Sequence, residues 1–160
     1  MKILSTRKRN FRFYALTFQL TAFYSLLLPN LAAAQVSAGG LRTRVNGSAF
    51  GTCISGQCTI NGGSRSGPNL LQKFNSFDTR KGITKIKLDT QGLDNIVVGV
   101  TSGSGTFLNK PLSLSAPANL FWLSPGGIWV GNDAMVSNVN NLLFTTAIGM
   151  KIGGNFYSIF

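Results

Sequence analysis

The sequence contains no histidine, no glutamate and only two cysteines, and its acidic side chains are limited to Asp78, Asp89, Asp94 and Asp133. Each shortage removes a chemistry. Without histidine there is no imidazole to activate Ser113 or Ser115 as a nucleophile, and a single cysteine pair cannot complete the four ligands of a zinc site. Polysaccharide lyases and hydrolases need carboxylates grouped around a substrate or a calcium ion. Of the four aspartates, only Asp89 and Asp94 stand close in sequence, and the Thr90-Gln91-Gly92-Leu93 stretch between them reads as a turn that they flank. The expectation is a protein that is not an enzyme and that uses no metal and no cofactor. Helical periodicity is also nearly absent after residue 35. Short apolar runs such as Ile96-Val97-Val98-Gly99-Val100 alternate with glycine, asparagine, serine and threonine, which is an all-β composition.

Fifteen basic against four acidic side chains give a net charge of +11, but the excess is concentrated at the start of the chain. Lys2, Arg7, Lys8, Arg9 and Arg12 precede a mostly apolar run from Phe13 to Leu28, and Pro29 to Ala34 ends in the small residues that a signal peptidase reads. Residues 1–34 are therefore read as a secretory signal peptide cleaved after Ala34. A membrane anchor is the alternative. Thr17, Gln19 and Thr21 interrupt the run, however, and it falls short of the roughly 18 apolar residues of a spanning helix.

Residues 35–160 keep ten of the fifteen basic side chains and all four acids, a net charge of +6. The bases are scattered, and in the tightest group, Ile83-Thr84-Lys85-Ile86-Lys87-Leu88, alternation puts the lysines on one face and the aliphatic residues on the other. That is the solvated face of a half-buried strand. No stacking aromatics interleave with it, so no nucleic-acid partner is expected. Cys53 and Cys58, in the stretch CISGQC, are read as a small disulfide loop formed after export. Their spacing is not that of a thioredoxin-like redox pair.

The stretch NLFWLSPGGIWVG, Asn119 to Gly131, reads as two strands about a Ser-Pro-Gly-Gly turn, and it recurs in part 22 residues later. Asn119-Leu120-Phe121-Trp122 becomes Asn141-Leu142-Leu143-Phe144, and Gly127-Ile128-Trp129-Val130-Gly131 becomes Gly149-Met150-Lys151-Ile152-Gly153. About that length makes one coil of a parallel β-helix, three short strands and three turns, with like residues stacked from coil to coil. Leu142 over Leu120 and Ile152 over Val130 would be interior, Asn119 and Asn141 would stack at a corner, and the glycine pairs 127/149 and 131/153 would mark turns. Upstream, Asn61-Gly62-Gly63 signals a tight turn between early strands. The apolar finish Asn155-Phe156-Tyr157-Ser158-Ile159-Phe160 carries no charged cap. The last coil is accordingly expected to be open, the helix incomplete at its C-terminus and the chain a truncated copy of something longer.

Three segments from about Gly51 onward give the chain a family likeness. They are Gly67-Pro68-Asn69-Leu70-Leu71-Gln72-Lys73-Phe74-Asn75-Ser76-Phe77, the run from Asn95-Ile96-Val97 to Gly103, and Asn119 to Gly131. In content, order and spacing they resemble the N-terminal secretion domain of two-partner secretion exoproteins, the filamentous-haemagglutinin type found in diderm (Gram-negative) bacteria and abundant in cyanobacteria. Ser124 and Gly126 stand where that family usually carries asparagines, which removes the bonds those amides make to the turn backbone. The resemblance implies a right-handed, single-stranded parallel β-helix with an N-terminal β cap over residues 35–160. It also implies recognition by the periplasmic domains of a dedicated outer-membrane β-barrel transporter, folding outside the cell, and contact with a membrane only during export. The residues it marks for recognition or folding are Asn69, Leu70, Phe74, Phe77, Asn119, Leu120, Phe121, Pro125, Gly127 and Ile128. Any contact with a host-cell or surface glycan would belong to a passenger that this chain does not show.

The other reading is an exported carbohydrate-binding or polysaccharide-acting β-helix. Trp122, Trp129 and Phe121 lie on alternating faces of their strands, and an indole facing solvent would favour a sugar-stacking role. Phe121, Leu123 and Ile128 are equally able to fill an interior, the default for large apolar side chains.

Overall fold

The computed structural model describes residues 35–160. The signal-peptide assignment to residues 1–34 and the cleavage after Ala34 lie outside the described residues. Fourteen strands follow one another: β1 (Val36–Gly40), β2 (Thr43–Val45), β3 (Thr52–Cys53), β4 (Gly56–Gly62), β5 (Ser64–Ser66), β6 (Asn69–Asp78), β7 (Ile83–Leu88), β8 (Asn95–Val100), β9 (Thr106–Leu108), β10 (Leu112–Leu123), β11 (Ile128–Val130), β12 (Val136–Thr145), β13 (Gly149–Ile152) and β14 (Asn155–Ser158). No helix occurs among the described residues. Successive strands stack in parallel as about three turns of a β-solenoid, so the chain is a parallel β-helix.

Three ladders form its walls. One runs β4–β7 and on to the first part of β10, with Ile86 beside both Cys58 and Leu112. A second runs β6–β8–β10–β12, with Leu70, Ile96, Leu120 and Leu142 in line. The third joins the end of β6 to β9 and β11. Strand β10 serves two walls because it bends between Ser113 and Ala118, where its register shifts. Pro117, which has no N–H to give to a ladder, lies inside that bend.

The lumen is filled by rows of like side chains. Ile60, Leu88 and Leu114 form one row, and Leu70, Ile96 and Leu120 another, all almost completely buried. Each buried aliphatic side chain contributes about 1.5–3 kcal/mol of transfer free energy. The alternation in β7 points Ile83, Ile86 and Leu88 inward and leaves Lys85 and Lys87 exposed. Aromatics fill the wider part: Phe74 meets Phe77 edge to face at 5.3 Å, Phe77 meets Trp122 at 4.6 Å, and Trp122 meets Phe144 at 6.4 Å. The Trp122 indole N–H, which would otherwise be a costly buried donor, donates to Thr106 Oγ1 at 2.9 Å.

The first coil is closed by antiparallel pairing: β1 lies on β3 and β6, β2 on β4, and β5 on β6. Cys53 and Cys58 are joined by a disulfide, and both are buried beneath this cap. Asn61-Gly62-Gly63 is a coil corner rather than a hairpin. Gly62 and Gly63 take φ of 68° and 118°, and the chain passes from β4 to β5, each of which pairs with other strands.

The 22-residue repeat is real in its first half and fails in its second. Leu120, Phe121 and Trp122 pair in parallel with Leu142, Leu143 and Phe144 at that spacing. Beyond Thr145, however, Gly149–Ile152 does not stack on β11, so Ile152 does not lie over Val130, and the glycine pairs 127/149 and 131/153 do not form. Instead β13 and β14 make an antiparallel hairpin. The corner explains the departure. A β-carbon on Gly126 would stand 2.5 Å from both Gly105 N and Ser102 O, so stacked turns at this corner need glycine. The residue 22 positions after Gly126 is Ile148, which cannot take that place.

The hairpin folds back across the outside of the second wall. Tyr157 and Ile159 are buried there with Val97 and Leu123, and Leu71, Phe121, Met150 and Ile152 pack alongside. The apolar finish of the chain is therefore a strap on the outer wall and not a further strand at the end of the stack. Ile159 fits because Gly99 has no side chain: a β-carbon there would stand 2.5 Å from Ile159 Cγ2.

Candidate functional site

An asparagine ladder runs up one corner of the solenoid, at the start of the second wall. Asn95 Nδ2 donates to Asn69 Oδ1 at 2.8 Å, Asn119 Nδ2 to Asn95 Oδ1 at 2.9 Å, and Asn141 Nδ2 to Asn119 Oδ1 at 2.8 Å. At the lower end Asn69 Nδ2 donates to the Tyr157 hydroxyl at 2.8 Å, which donates in turn to Ser66 Oγ at 3.3 Å. The strap is thus tied into the ladder by a side chain 88 positions away in sequence. The ladder has a direction, with the amide nitrogens of Asn141, Asn119 and Asn95 each donating toward the first coil. The stacking of Asn119 with Asn141 follows from the 22-residue spacing. Asn95 and Tyr157 join by geometry: unequal turns make the lower spacings 26 and 24 residues, which a fixed-period search misses.

The other residues marked by family resemblance separate into two environments. Leu70, Phe74, Phe77 and Leu120 are buried in the lumen. Phe121 points outward and is half covered by the strap, and Leu123 is fully buried there, so neither fills the interior of the helix. Ile128 packs against the lumen at the last wall. Pro125 and Gly127 shape the turn after β10. Gly127 takes φ of 103°, its N–H donates to Ser124 O at 2.9 Å, and the Ser124 hydroxyl donates to Gly127 O at 2.8 Å. The serine therefore supplies a side-chain bond to the turn backbone where such a bond was expected to be lost.

The strand that ends the stack, β12, has β10 as its one ladder neighbour among the described residues, and Leu142 and Leu143 on it are each 44% exposed. This edge offers unpaired backbone groups above an apolar lumen.

The acidic residues serve turns and ion pairs. Asp89 Oδ1 accepts from Gln91 N at 3.0 Å and from Ser115 Oγ at 3.2 Å. Asp78 binds Arg80 through both carboxylate oxygens, and these bonds hold the guanidinium proton more firmly than usual. Asp133 accepts from Lys110 at 3.0 Å. Among the described residues no three histidine, cysteine, aspartate or glutamate side chains gather in a way that would hold a metal ion.

The two tryptophans differ sharply. Trp122 is buried, whereas Trp129 on β11 is 49% exposed and stacks on Phe107 of β9 with ring centroids 4.6 Å apart and planes within 12°. Arg80 completes the column with its guanidinium carbon 3.7 Å from the Phe107 centroid.

What fold and geometry define is a parallel β-helix with an antiparallel cap on its first coil, an open edge on its last and a strap across one wall. In comparisons with known proteins, no family model, no curated protein and no solved structure matches the chain.

Proposed function

We propose that the chain is the secretion and folding-nucleation domain of a two-partner secretion exoprotein, recognised during export by the periplasmic domains of an outer-membrane β-barrel transporter. The observation that carries this reading is the asymmetry of the solenoid. The first coil is sealed by β1, β2, β3 and β5, while the last coil presents the β12 edge. A solenoid grows by adding coils to an open end, and each added strand gains backbone bonds and stacked side chains. A domain closed at its N-terminal end and open at the other is suited to start that growth. The same edge chemistry suits a transporter, since strand addition gives sequence-tolerant backbone bonding while alternating pockets supply selectivity.

The test is export. Residues 1–160 are expressed in a diderm host with and without a β-barrel transporter encoded beside the gene, and the medium is assayed for the processed chain. Appearance that depends on the transporter is the expected result. Processed protein retained in the periplasm with the transporter present overturns the proposal.

A further inference from the structure

We propose that the groove beside Phe107 and Trp129 is a binding site for an uncharged saccharide, with the exposed indole as its stacking platform. The site belongs to the chain as it stands, with β11 as the last strand of its wall; a further coil stacked there would cover it. The groove has a volume of about 310 Å³ and is lined by Arg80, Phe107, Asn109, Trp129 and Gly131 among others. That is near the lower end of the roughly 300–1,000 Å³ typical of small-ligand sites.

Three features make it more than an apolar corner. The first is the aromatic column. Trp129 gives one face to Phe107 and remains half exposed, while Phe107 itself is partly covered and Leu108 is buried. The ring is also held in place. A β-carbon on Gly127 would lie 2.6 Å from Trp129 Cη2, so glycine there makes room for the indole in this orientation. A fixed, electron-rich aromatic surface attracts the polarised C–H bonds of a pyranose face.

The second feature is a pair of donors without protein acceptors. Arg80 uses Nε and Nη2 on Asp78, and Nη1 makes no hydrogen bond among the described residues. Asn109 is anchored by its backbone, whose N–H donates to Thr79 Oγ1 at 2.8 Å. Its side-chain amide makes no hydrogen bond among the described residues and rests against Gly131, where a β-carbon would collide with Asn109 Oδ1. Glycine at 131 leaves space for that amide. The Asn109 amide and the free N–H edge of Arg80, which lies across Phe107 from the indole, can bond the hydroxyls and ring oxygen of a sugar lying along the groove.

The third feature is charge balance, which selects among sugars. Arg80 is the one charged side chain among the groove's lining residues, and its charge is paired with Asp78. An acidic saccharide would gain little there, because the Asp78 carboxylate already holds the guanidinium.

The probes are soluble xylo-, cello- and chito-oligosaccharides, titrated into the full chain while tryptophan fluorescence and binding heat are followed. Trp122 is buried and bonded to Thr106, so a fluorescence change reports Trp129. Expected is a saturable signal with at least one series, unchanged by salt, and weakened about tenfold or more in Trp129→Ala, equivalent to about 1.4 kcal/mol. Trp129→Phe should recover part of it, and Asn109→Ala should weaken binding while the indole signal persists. Trp129 is a surface residue, so its variants keep the fold, which the near-ultraviolet signal of Trp122 verifies. No saturable signal with any of the three series overturns the proposal, as does unchanged affinity in Trp129→Ala. Tighter, salt-sensitive binding of an oligouronate overturns the assignment to an uncharged sugar.

Discussion

The contact between Gly99 and Ile159 isolates how the strap is held. Alanine is compatible with the backbone at residue 99, which does not have a positive φ. In the absence of any other effect, Gly→Ala stabilises by about 0.4–1 kcal/mol through the unfolded chain. Here the new methyl group would stand 2.5 Å from Ile159 Cγ2, about 1–1.5 Å inside the roughly 3.5–4.0 Å of a normal carbon contact. Overpacking of this kind costs about 1–3 kcal/mol. Ile159 is at the end of the chain, so the cost falls on strap docking and not on the β6–β8–β10 wall. A loss of about 1.4 kcal/mol raises the open population about tenfold. Amides paired between β13 and β14, such as those of Met150 and Tyr157, should then exchange about tenfold faster in Gly99→Ala, while those of β8 hold their protection. The double variant is the decisive control. Ile159→Ala alone should cost about 2 kcal/mol, and in that background Gly99→Ala should become neutral or stabilising. Additive effects within about 0.3–0.5 kcal/mol would refute the packing argument.

Three further outcomes follow from the same structure. Asn119→Ala removes one rung of the ladder and leaves Asn95 Oδ1 without its donor; unfolding by denaturant should show a loss of about 1–3 kcal/mol, and Asn141→Ala, at the exposed top, a smaller one. Replacing Cys53 and Cys58 with serine removes the staple under the N-terminal cap and should lower stability by about 2 kcal/mol in a melt; reductant should lower the stability of the parent chain and leave that of the variant unchanged. Gly126→Ile places a side chain against Gly105 N and Ser102 O and should unseat β11, seen as increased exposure of Trp129 and faster exchange at Ile128, Trp129 and Val130. An unchanged Trp129 signal would show that the corner tolerates isoleucine and would refute the steric account of why residues 149–152 do not stack on β11.

The parts of the fold legible in the sequence are those in which a side chain reports its own surroundings. Alternation in Ile83–Leu88 gives the buried and solvated faces of β7, and the recurrence of Asn-Leu-Phe-Trp as Asn-Leu-Leu-Phe gives the register of β12 on β10. The asparagine ladder was half visible. Residues 119 and 141 share the period, but Asn69 and Asn95 are displaced by turns of different length, and no local pattern carries that information. Trp129 illustrates the opposite limit. Its strand face was readable, but its exposure depends on Gly127 beneath it and Phe107 beside it, and on the absence of stacked chain beyond.

By itself the sequence determined an all-β chain, coiled with a period near 22 residues, in which histidine and glutamate chemistry is impossible. These properties follow from composition and from repeats that each coil imposes on its own residues. Tertiary structure alone decided where the repeat stops and what the last residues do. Gly149–Gly153 matches the β11 pattern locally, yet the corner before β11 has no room for a β-carbon at Gly126, where the matching residue is Ile148, and the outer wall offers a seat at Gly99 that Ile159 fills. Competition between two seats for one segment is set by contacts dozens of residues apart, and a local pattern cannot register which of them wins.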